Sequence, residues 1–263
     1  MADVLNMPKL PDENDTEGLQ AYLRNGISAI HNNPEIPLPM DVYMNLYTVV
    51  WRLITREEGD KNVRSKCMKT FSCLSKFCGS IFTVVTVPYA DVVYQDLANF
   101  LADYLQTVVK RLQSQEDGLL LDDYLSEWDR YVAAANRINH LLNLINRHWI
   151  NRCIDEGKQG IYLIRTLHFV QWRYCVWDKI SVAVVDSAQL VTGKDDGKAA
   201  KAHDILERFA SLRIDYSALN KDDTRTRIRK SLEAPFLPEI EAHERNLEDI
   251  AAARQSRGHH LDG

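Results

Sequence analysis

In this chain of 263 residues, the side chains best equipped for metal or nucleophile chemistry are eight histidines and five cysteines, and their spacing assembles no site. Cys67, Cys73 and Cys78 share one short stretch, yet they are not the close pairs of a structural zinc site, and no histidine lies near them. No pair among His31, His140, His148, His168, His203, His243, His259 and His260 has zinc-ligand spacing on a helix with a glutamate between. A glycine-flanked serine elbow and a phosphate-binding glycine loop are both missing from the sequence. Asp155 and Glu156 adjoin a helix stop and point in different directions, which suits capping better than paired acid and base work. The sequence therefore predicts no catalytic residue, no metal and no cofactor.

The elements that would carry any other chemistry are helical. Residues 1–16 are polar and proline-bearing, a tail. Leu19, Leu23 and Ile27 mark a helix over 18–31, and HNNPEIPLP, with three prolines, must interrupt it. Residues 40–58 form the next helix, without internal glycine or proline. Residues 61–78 carry Lys61, Arg64, Lys66, Lys69 and Lys76 with no acidic residue, and the adjoining IFTVVTV has strand-like composition. Helical spacing returns over 90–112. Between Gly118 and Gly157, apolar residues recur at three- and four-residue intervals, which reads as one long helix of nine or more turns. A further helical stretch covers 161–191 with a break near Asp178; helices follow over 199–214 and 224–234, and the charged, weakly amphipathic end reads as frayed. The expected fold is all-α, an elongated array of helical bundles.

A net charge of -5, spread without long charged blocks, gives no electrostatic reason to expect nucleic acid or an anionic membrane as a partner. The N-terminus has neither the basic start nor the apolar core of a secretory signal, so cytosol or nucleus and reduced cysteines are expected.

The stretch VYMNLYTVVW poses the sharper question. On a helical wheel, Val42, Tyr43, Met44, Leu46, Tyr47, Val49, Val50, Trp51, Leu53 and Ile54 cover an arc of roughly 220°, where a surface helix needs an apolar stripe of about 100°. Either the helix lies deep inside the domain, or a second stripe meets another protein. Tyrosine and tryptophan, with polar tips on apolar bodies, are enriched at interfaces.

Downstream, LNLINRHWINRCIDEGKQGIYLIRTLHFVQWRYCVW resembles the N-terminal region of the cullin family: a long helix ending in Asn146-Arg147-His148-Trp149, an Asp155-Glu156-Gly157 turn, Gly160-Ile161-Tyr162, then Trp172, Arg173 and Cys175. VYMNLYTVVW is similar to that family's second helix, in the same order and at a suitable distance. The resemblance covers about 18–240 and is closest to the cullin of SCF-type ubiquitin ligases. It implies five-helix cullin repeats: a first over 17–157 with an atypical insert at about 61–87, a second, partial one over 158–240, and a charged tail over 241–263. It also implies a scaffold that docks a Skp-type BTB-fold adaptor, which brings an F-box protein. The implied contact residues are Tyr43, Met44, Leu46, Tyr47, Val50 and Trp51 from one helix, with Leu144 and Arg147 from the long one.

Two departures carry consequences. Leu144 stands where SCF-type cullins usually have tyrosine, which implies a lost polar contact, and 61–87 has no counterpart in the family pattern. The chain also ends where a cullin continues, so no RING-box partner and no ubiquitin transfer are expected of it alone. The competing readings are an unrelated helical enzyme or ligand binder with a pocket between long helices, and a partial gene product.

Overall fold

A computed structural model describes residues 7–55, 88–114, 120–192 and 221–258. The cysteine-bearing segment 61–87 and the helix expected over 199–214 lie outside the described residues. Among the described residues every regular element is helical: α1 Thr16–Asn32, α2 Met40–Thr55, α3 Pro88–Gln113, α4 Leu120–Leu141, α5 Asn143–Ile145, α6 Asn151–Asp155, α7 Ile164–Trp172, α8 Asp178–Thr192, α9 Lys221–Glu233 and α10 Leu237–Gly258. Two π-turns, Asn146–Ile150 and Arg173–Trp177, sit between α5 and α6 and between α7 and α8. None of these helices is long and apolar enough to cross a membrane.

The chain divides into two compact units. One is built from 1–100, 130–167 and 245–263, the other from 101–129 and 168–244. In the first unit, α1 starts at Asp15, whose carboxylate accepts the Gly18 N–H at 2.8 Å and so satisfies one of the unpaired donors of the first turn. Its apolar face, including Leu19, Leu23, Ile27 and Ile30, is buried. α2 packs against α1, and the approach is closest where Gly26 faces Leu46: a side-chain carbon at Gly26 would collide with the Leu46 isobutyl group.

The predicted single helix over 118–157 is corrected by the structure. α4 ends at Leu141, Leu142 leaves helical geometry (φ -93°, ψ 17°), and the π-turn follows before α6 stops at Gly157. A π-turn adds a residue to one turn, and alternating three- and four-residue apolar intervals conceal that slip. Asn146 holds the turn in place. Its buried amide donates to Asn139 Oδ1 at 2.9 Å and its carbonyl oxygen accepts the Ile164 N–H at 3.0 Å.

The frayed end is a second correction, since α10 continues to Gly258. Arg254 donates to the carbonyls of Asp155 and Glu156 at 2.7 and 2.8 Å, satisfying acceptors that a helix C-terminus leaves open. Gly157 sits there at φ +62°, and a Cβ would lie 3.1 Å from the Arg254 guanidinium, so both backbone and space favour glycine.

The core of the second unit is aromatic. Trp128 meets Trp172 edge-on at 5.2 Å between ring centroids and lies 5.6 Å from both Phe169 and Phe236. The Trp172 indole N–H donates to the Tyr124 hydroxyl at 3.2 Å, and that of Trp177 to Glu233 at 3.0 Å. The break expected near Asp178 is the π-turn that immediately precedes it.

Candidate docking surface

The candidate surface lies wholly in the first unit. α2 buries Leu46, Val49, Val50 and Leu53 completely, the inner stripe expected of any amphipathic helix. Its outer side is also apolar. Met40 is 74 %, Met44 51 % and Trp51 51 % exposed, and Tyr47 between them is half-buried. At 100° per residue these four fall within about 60° of one another, a continuous stripe along the helix. Tyr43 lies half-buried at its margin.

Leu46 and Val50 are corrections to the expected contact set. Both are at 0 % exposure, because α2 presses that side against the unit's interior and Leu46 fills the space opposite Gly26, so neither offers surface to a partner. Met40, outside the expected set, lies on the same exposed stripe, four residues before Met44, the spacing that puts two side chains on one helix face. α2 also packs against α5, which brings half-buried Leu144 beside it and places exposed Arg147 and His148 immediately beyond.

The Asn-Arg-His-Trp motif divides its work through the π-turn. Asn146 and Trp149 point inward, the latter packing tilted against Tyr94 at 5.3 Å between ring centroids, while Arg147 and His148 face solvent. Tyr94 is buried, and its hydroxyl accepts the Tyr162 N–H at 2.9 Å; burial pushes its ionisation well above the ordinary tyrosine value. Burial likewise raises the Tyr22 hydroxyl, which bonds the Asn45 side chain and ties α1 to α2.

The remaining polar chemistry nearby is structural. Glu156 pairs with Lys158 at 2.7 Å and with Arg152 at 2.8 Å, and these two partners hold its carboxyl at about 2. The Cys153 thiol is buried, and that burial pushes its ionisation up, the opposite of an activated nucleophile. Among the described residues no three His, Cys, Asp or Glu side chains gather as metal ligands. What the first unit presents is an apolar stripe with a cationic edge, an arrangement suited to recognising a protein surface.

The family description "Cullin alpha solenoid domain" matches residues 20–248. Cullin-1 of Dictyostelium discoideum is 26 % identical over 182 residues, covering 69 % of this chain and 22 % of that protein. Cullin-1 of Caenorhabditis elegans is 23 % identical over 225 residues, with 81 % and 27 % covered. Cell division control protein 53 of Saccharomyces cerevisiae is 22 % identical over 249 residues, with 89 % and 28 % covered. The chain thus spans about a quarter of the length of the curated relatives it matches. With a matched span that takes in most of the sequence and described residues that are helical wherever they are regular, the chain belongs to the cullin family.

Proposed function

We propose that these residues act as the adaptor-binding arm of a cullin-type ubiquitin ligase scaffold, docking a Skp-type BTB-fold adaptor together with its F-box protein. Their contribution is recognition and positioning rather than bond-making. The observation that carries this reading is the outer stripe of α2. Met40, Met44 and Trp51 stay at least half exposed although the inner stripe alone suffices to bury the helix. Large exposed apolar residues in a continuous row mark interaction sites, and binding energy at such sites concentrates in a few aromatic and aliphatic side chains. The adaptor is expected to receive Met44, Tyr47 and Trp51 in apolar pockets, with Tyr43 and Leu144 at the margin and Arg147 at the polar rim.

Titration calorimetry with a purified Skp-type adaptor tests the reading. The Tyr43→Ala, Tyr47→Ala double variant should lose binding while its circular dichroism stays that of the parent chain. Undiminished binding rejects the site, and a loss of helix content assigns those tyrosines to the core instead.

A further inference from the structure

The connection between α1 and α2 carries three prolines, at 34, 37 and 39, and is held by two arginines more than ninety residues away in sequence. Arg130 and Arg137 stand two turns apart on α4. Arg130 donates to the Asn32 carbonyl at 3.0 Å, and Arg137 to the Pro34 carbonyl at 2.6 Å. Proline removes a donor and keeps an acceptor, so this loop has more carbonyls than N–H groups to satisfy them. Pro34 is buried, and its carbonyl needs an outside partner. A guanidinium supplies a charge-assisted bond, stronger than a neutral one.

The loop beyond Pro34 is stiff. The prolines fix their own φ, and Ile36 and Leu38, each preceding a proline, are biased towards extended backbone. At its far end the Pro39 carbonyl accepts the Tyr43 N–H at 2.9 Å, the bond that opens α2. Holding Pro34 therefore sets where α2 begins, and with it Met40, Tyr43 and Met44.

We infer that Arg137 is a positioning residue for the N-terminal half of the α2 docking stripe, pre-organising a surface it does not itself form. The inference rests on the docking reading above. Losing the clamp lets the start of α2 sample other placements, and apparent affinity falls with the competent fraction, so a drop to one fifth weakens binding about fivefold.

Calorimetry of the full chain with the Skp-type adaptor, paired with amide hydrogen exchange of the free chain, tests it. Arg137→Ala should bind about fivefold more weakly, and Arg137→Lys, which keeps a charged donor, should recover part of the loss. The Arg137→Ala loss should combine less than multiplicatively with Met44→Ala and multiplicatively with Trp51→Ala, because only Met44 lies at the clamped end. In the free variant the Tyr43 and Met44 amides should exchange several-fold faster, with those of 51–55 unchanged. Wild-type affinity in Arg137→Ala, or equal acceleration along all of α2, overturns the inference. A wild-type chain that fails to bind the adaptor removes the docking reading and leaves the clamp to be judged by exchange alone.

Discussion

Trp172 and Trp177 of the second unit and Trp51 of the first have opposite fates, although Trp149 of the first unit is buried as well. In the second, Trp172 and Trp177 are 0 % and 2 % exposed, locked among other rings with both indole N–H groups bonded. In the first, Trp51 is 51 % exposed at the end of a row that includes Met40 and Met44. Residue type does not separate these roles; the neighbouring helices do. An aromatic ring whose whole surface is met by its own chain stabilises the fold, and one left half open on a helix already buried by another stripe is available for a partner.

The largest test removes a locked ring. Trp172→Ala deletes contacts to Trp128 and leaves the buried Tyr124 hydroxyl without its indole donor, and should destabilise the protein by about 3–5 kcal/mol in urea denaturation. A cost below about 1 kcal/mol would place it with ordinary surface changes and dissolve the contrast.

Within α2 the same contrast recurs two residues apart. Leu46→Ala should cost about 2–5 kcal/mol of stability, since Leu46 is fully buried opposite Gly26. Met44→Ala should change stability by no more than about 0.5 kcal/mol while weakening the adaptor complex by more than about 1 kcal/mol. Denaturation and calorimetry on both variants read the two effects separately. If both substitutions harmed folding alike, α2 would have one role rather than two.

The wheel of α2 disclosed a surplus of apolar surface but not its ownership. Leu46 and Val50 are as apolar as Met44, and only the approach of α1 at Gly26 shows that they face inward. The all-helical class was legible because apolar spacing is local. The break at Leu142 and the π-turn after it were not, because a one-residue slip leaves the spacing intact while a single buried amide, Asn146, fixes it through Ile164. α10 escaped detection for a different reason. Few of its residues are buried, Ile240 and Leu247 among them, and part of what orders its end is Arg254 bound to two carbonyls, a contact no periodicity encodes.

That contact sharpens the comparison, since there the first unit is held by backbone geometry rather than by rings. Gly157→Ala forces a side chain into left-handed backbone and toward the Arg254 guanidinium, and should cost about 1–2 kcal/mol, visible as a lowered thermal midpoint.

The smallest effect is expected at the neighbouring residue. Lys158 and Arg152 hold the Glu156 carboxyl at about 2, below its ordinary 4.5. A depressed acid stabilises the fold at pH values above its unfolded value, and that contribution fades as pH falls from there through about 2. Thermal midpoints of Glu156→Gln and the parent should therefore differ most at neutral pH and converge in strong acid. The difference should be slight throughout, because water and salt screen an ion pair at the surface. If Glu156→Gln instead matched the damage of Trp172→Ala, surface charge would hold this chain as firmly as buried rings do, and exposure would no longer distinguish a stabilising residue from one awaiting a partner.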